Sequence, residues 1–96
     1  MHYEPRPGVY MAEICGVYLL IPTREASAYC PGPSRLSLLG IAMWNLLSQG
    51  KPLDKLYRAW LILHKSDDEA AARQAVDAML EKFCDAGFII LVEDEQ

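Results

Sequence analysis

Cysteine is scarce in this chain, and the spacing of the few present excludes two architectures. Cys15, Cys30 and Cys84 form no CxxC pair and are odd in number, so neither a disulfide framework nor a zinc ribbon is encoded, and three reduced thiols are expected. Histidine is limited to His2 and His64. There is no HExxH, no glycine-rich phosphate loop and no GxSxG, so the sequence offers no catalytic residue, no metal ligand set and no cofactor site. Long apolar runs are also missing. Nothing approaches the ~18 to 20 consecutive apolar residues that span a bilayer. The opening Met1 to Gly8 is polar and proline-containing, unlike a signal peptide, so a cytoplasmic protein with no membrane partner is expected. Positive charge is in short supply as well. The formal net charge is -4, so no global field draws phosphate backbones and no nucleic-acid partner is expected.

What the sequence does have is apolar content: 52% of its 96 residues are hydrophobic, sufficient for one core in a single domain over residues 1–96. Val9 to Ile14 and Val17 to Ile21 are short runs rich in Val, Ile, Leu and Tyr, separated by Cys15-Gly16, the signature of a two-residue β-hairpin. In the second run Val17, Leu19 and Ile21 share one face and Tyr18 and Leu20 the other, so this strand is expected at the centre of the sheet, covered on both sides. Pro22, Pro31, Gly32 and Pro33 bound a loop over Thr23 to Cys30, and alternation after it gives a third, edge strand over Ser34 to Ser37.

From Leu38 the period lengthens to that of a helix. Leu39, Ala42, Met43, Leu46 and Leu47 share a face, with Ser37 as cap and Gly50 as terminator. Pro52 opens a second helix carrying Leu53, Leu56, Tyr57, Trp60, Leu61 and His64. Trp44 and Trp60 are expected in the core, with His64 partly buried at the end of the stripe. Ser66-Asp67-Asp68-Glu69 starts a third helix that runs to about Ala86, burying Ala72, Val76, Met79, Leu80 and Phe83, and Gly87 closes it. Phe88 to Val92 is expected as a terminal strand against the sheet edge, and Glu93 to Gln96 as a frayed tail. Three strands, three helices and a short C-terminal strand make an α+β protein of winged helix-turn-helix-like plan.

The run from Arg35 to Leu56 carries Leu36, Gly40, Met43-Trp44, Leu46-Leu47 and Gly50, and the second half adds Val76, Met79-Leu80, Phe83 and Gly87-Phe88-Ile89. In these positions, from about Val9 onward, the sequence resembles the PqqD-like family. Ser37 stands where that family usually has Asn, and Pro52 where Thr or Ser commonly caps the second helix.

The resemblance implies a non-enzymatic recognition element for ribosomally made peptides, which binds the leader segment of a precursor as an added strand and presents it to a modifying enzyme, often a radical SAM enzyme. Strand addition needs an exposed edge and neighbouring pockets. On that implication Ser34, Arg35, Leu36 and Ser37 supply main-chain bonds, with Arg35 meeting an acidic side chain, and Arg73, Asp77 and Glu81 form the opposite wall. Two alternatives share the element order. One is a winged-helix DNA-binding regulator, disfavoured because Asp68 to Asp85 holds five acidic residues against Arg73 and Lys82, a balance of -3. The other is a permanent protein-interaction subunit. The exposed third-strand edge can also pair with itself to give a homodimer.

Overall fold

The computed structural model describes residues 2–93. Eight elements follow in chain order: β1 (His2–Pro5), β2 (Val9–Ile14), β3 (Val17–Pro22), β4 (Ser34–Arg35), α1 (Leu38–Ser48), α2 (Leu53–Leu63), α3 (Glu69–Asp85) and β5 (Ile89–Val92). The protein is therefore an α+β fold with a three-stranded antiparallel sheet in the order β2-β3-β4, three helices and a C-terminal strand. No helix among the described residues is long and apolar enough to cross a membrane.

The β2–β3 hairpin turns on Cys15 and Gly16, both with positive φ (52° and 78°). This is the paired left-handed geometry that matches the twist of two-residue hairpins. Pairing runs without interruption from Val9↔Pro22 to Ile14↔Val17, and β4 joins the far side of β3 through Leu19↔Arg35 and Leu20↔Ser34. Thus β3 is central, as the sequence indicates. Its two faces differ, however. Leu20 is fully buried and Tyr18 packs against the core, whereas Val17, Leu19 and Ile21, with Tyr10, Ala12 and Ile14 beside them on β2, neither belong to the core nor pack against it. The expectation that β3 is covered on both sides is corrected.

The expected place of the C-terminal strand is corrected, and the chain start supplies a strand the sequence does not indicate. His2–Pro5 is a strand, and β5 pairs with it, Tyr3 opposite Leu91 and Glu4 opposite Ile90, so β5 does not extend the three-stranded sheet. The Arg6 N–H continues this pairing by donating to the Phe88 carbonyl at 2.8 Å. Of the expected frayed tail, residues 94–96 lie outside the described residues.

Local chemistry explains the helix ends. Ser37 Oγ accepts from the Gly40 N–H at 3.1 Å and Asp68 Oδ1 from the Ala71 N–H at 3.0 Å, so each cap satisfies a donor that has no partner in the helix itself. Pro52 sits at the N-cap of α2 with no side-chain cap bond. The core joins Leu20 and Leu36 from the sheet to Met43, Trp44 and Leu47 of α1, Leu56 of α2, Val76, Leu80 and Phe83 of α3, and Phe88 and Ile89. Trp44 meets Phe83 edge-on, ring centres 6.2 Å apart, the arrangement the ring quadrupoles favour. Trp60 packs against the core with the His64 ring stacked on it at 4.2 Å. His64 itself is exposed, because it stands at the C-cap, where the chain leaves the helix. The expected half-buried histidine is corrected accordingly.

Candidate functional site

The segment after the proline cluster forms one wall of a groove. Leu36 donates its N–H to the Tyr18 carbonyl at 2.8 Å, and Ser34 lies opposite Leu20. Main-chain groups on an antiparallel strand face alternate sides. Arg35, between these two, therefore turns its N–H and C=O away from β3. Ser34 and Arg35 are exposed, while the Leu36 side chain is buried and belongs to the core. β4 is shorter than the expected Ser34 to Ser37 because Ser37 is used otherwise: its hydroxyl and carbonyl accept from the Gly40 and Ile41 N–H groups at the start of α1.

Facing β4 across the groove is α3. A cavity of ≈ 230 Å³ is lined by Ser34, Arg35, Leu36 and Ser37, by Met79, Lys82, Phe83 and Ala86, and by Gly40 and Phe88. Its floor is apolar. Arg35 and Lys82 are the charged residues in this lining, both cationic, on a chain of net charge -4; Lys82 stands on the α3 side, while the pairing of Arg35 with Leu19 puts its side chain on the sheet's outer face. A second hollow of ≈ 500 Å³ lies where the start of β3 meets α1, lined by Val17, Tyr18, Arg35, Leu36, Leu38 and Ile41 with Gly16 and Ser37. Leu38 is 81% exposed there.

The structure brings Ser34, Arg35, Leu36 and Ser37 together, but it does not bring Arg73, Asp77 and Glu81 to them. At roughly 100° per residue on a helix, Met79, Lys82, Phe83 and Ala86 share one sector, and Arg73, Asp77 and Glu81 are centred nearly half a turn away. Contacts agree with this geometry. The Tyr57 hydroxyl of α2 donates to Asp77 Oδ1 at 2.7 Å, and the Arg73 guanidinium lies 5.4 Å from the Tyr57 ring centre. The Tyr57 phenol is pushed above its ordinary value, first by burial and then by the Asp77 hydrogen bond. The Tyr3 phenol is raised too, by burial and then by Cys84, Asp77 and Glu81. This charged trio therefore faces α2 and β1, and the expected opposite wall is corrected to Met79, Lys82, Phe83 and Ala86. One signal for the true wall was in the sequence: Lys82 flanks the apolar stripe of α3 on the side away from α2, beside Phe83.

The end of the groove is held by a clasp. Gly87 offers its carbonyl to Arg6 Nε at 2.6 Å and to Cys30 Sγ at 3.2 Å, and the Arg6 guanidinium stacks 4.2 Å from the centre of the Tyr29 ring. Burial raises the Cys30 thiol, with the nearby Arg6 charge opposing in part. These contacts tie the loop that precedes β4 to the α3–β5 junction. Both walls of the groove thus rest on one anchored point.

Among the described residues no group of three or more His, Cys, Asp or Glu is placed to hold a metal ion. No protein-family model matches the chain, and no curated protein or solved structure matches it significantly.

Proposed function

We propose that this protein binds an extended peptide segment by strand addition along β4, with an apolar side chain of the peptide in the β4–α3 groove and an acidic one, on the other face of the added strand, meeting Arg35. The supporting observation is the coincidence of three features at one place: an outward-facing main-chain pair at Arg35, an apolar cavity beside it, and the cationic Arg35 side chain on the same strand. Main-chain bonds to an edge strand give affinity without sequence preference, and the adjoining pocket supplies the choice. In keeping with the PqqD-like resemblance, the bound segment is the leader of a ribosomally made precursor, held for a separate modifying enzyme. Such a domain works by raising the precursor's concentration at that enzyme.

The test compares two substitutions at one residue. Arg35→Ala removes the cation, and Arg35→Pro also removes an N–H that faces away from β3, leaving the internal ladder intact. A precursor peptide captured from the source cell, identified by mass and titrated by calorimetry, binds Arg35→Ala about tenfold more weakly, as expected for a charge-assisted hydrogen bond. It binds Arg35→Pro more weakly again. Equal affinity for wild type and both variants excludes β4 as the site. Retention of duplex DNA that weakens steeply with salt, with no peptide recovered, restores the regulator reading.

A further inference from the structure

The sheet has a second edge, and its chemistry differs from that of β4. β2 offers six residues in unbroken register with β3, with no proline, no lysine and no bulge. Of the devices by which natural edges avoid pairing, it carries only one charged side chain, Glu13. The two-residue hairpin makes Ile14 and Val17 a hydrogen-bonded pair, which fixes the parity of the strand. Tyr10, Ala12 and Ile14 give their main-chain groups to β3; Met11 and Glu13 direct theirs outward. At Val9 the N–H is occupied, donating to the Arg6 carbonyl at 3.1 Å. The open part of the edge is therefore centred on Ala12.

We propose that a second copy of this chain occupies the β2 edge, the two strands pairing antiparallel about a two-fold axis at Ala12 to join two three-stranded sheets into one of six strands. In this register Met11 faces Glu13 of the second copy, and the reverse, giving four main-chain hydrogen bonds without calling on the occupied Val9 N–H. Tyr10 falls opposite Ile14 of the second copy. These two residues are 62% and 51% exposed, and an aromatic ring over a β-branched side chain is a favourable cross-strand pair. Ala12 meets its own copy at the axis, where opposed chains come closest and a small side chain fits. Pairing about Met11 instead keeps four bonds but leaves Ile14 opposite Gly8, uncovered. The side chains of β2 thus complement themselves in one register.

The interface lies at the far side of the sheet from β4, so the groove stays open in the dimer and either proposal can fail alone. Salt separates them as well. The two Glu13 residues are offset by about 7 Å along the strands, within the screening length at physiological ionic strength. Added salt therefore strengthens the dimer, whereas it weakens a peptide held by Arg35.

Sedimentation velocity over a concentration series tests the proposal. Wild type is expected to shift from monomer to dimer. Glu13→Pro removes an outward N–H from each copy, two bonds per dimer, and raises the dissociation constant at least about tenfold with its circular dichroism unchanged. Tyr10→Lys, which leaves the backbone alone, does the same. In a Cys15→Ser background, Ala12→Cys cross-links to its own copy under mild oxidation, since opposed residues at the axis lie within disulfide reach, and Met11→Cys does not. A wild type that stays monomeric over the whole series overturns the proposal, as does a dimer indifferent to both variants. Cross-linking through Met11→Cys in preference to Ala12→Cys overturns the axis.

Discussion

Gly87 is the residue on which the groove's two walls converge. Its φ of +81° is left-handed backbone, which costs an L-residue roughly 1 to 2 kcal/mol. A β-carbon there would also run into the Tyr29 carbonyl and lie 3.3 Å from Cys30 Sγ. Gly50 has nearly the same φ, +73°, with nothing near a β-carbon, so the pair separates the two effects. Gly50→Ala is expected to cost about 1 kcal/mol. Gly87→Ala is expected to cost at least about 2 kcal/mol more, because the neighbour is backbone and cannot swing aside. Urea midpoints at constant slope give the comparison; equal losses would mean the close approach at Tyr29 is unimportant. The capping role of Gly87 was legible in the sequence from its place after an apolar helix. The approach of Tyr29 was not, since it joins residues far apart in the chain through a loop with no periodicity to read.

Among the elements, the helices were legible because each carries its own evidence. α3 announces itself through a period of apolar residues and an acidic start, and its cap is Asp68, which accepts from the Ala71 N–H. Asp68→Ala is expected to lower stability by about 1 kcal/mol, read as a fall in thermal midpoint. Asp68→Ser should restore most of it, because a hydroxyl oxygen can accept the same bond. β1 carried no such evidence. Four residues including Pro5 show neither β-propensity nor clean alternation, and the strand exists because β5 is there to pair with it. Missing β1 in turn left β5 with no edge to join except that of the three-stranded sheet. The groove suffered a related limit. The helical spacing of Arg73, Asp77 and Glu81 places them together on one face, but spacing alone does not say which neighbour that face meets; Tyr57 of α2 decides it. The β4 wall was legible, because the proline cluster and the onset of helical period bound it from both sides.

At the scale of the whole molecule, the resolved ionisation shifts point one way. Burial raises the thiols of Cys30 and Cys84 above their ordinary 9.0 and the phenols of Tyr3 and Tyr57 above 10.0. Tyr18 is raised as well, chiefly by its hydrogen bond with Glu13. Each of these groups is neutral when protonated, so the folded state holds the proton more tightly than the unfolded chain does. The unfolded state then binds fewer protons as pH climbs past the ordinary values, and stability falls with pH in that window. Below it both states are protonated and the contribution is fully present. Thermal midpoints are therefore expected to be insensitive to these five groups through neutral pH and to decline from about pH 9 upward, in the order thiols first and phenols after. Three of the five, Tyr3, Tyr57 and Cys84, belong to the surface where β1, α2 and α3 meet. Absorbance at 295 nm, followed with and without denaturant, measures the phenol part directly. A Tyr3→Phe/Tyr57→Phe protein whose alkaline fall in thermal midpoint matches that of wild type would show that these two phenols do not set the alkaline limit, which then lies with Tyr18, Cys30 and Cys84.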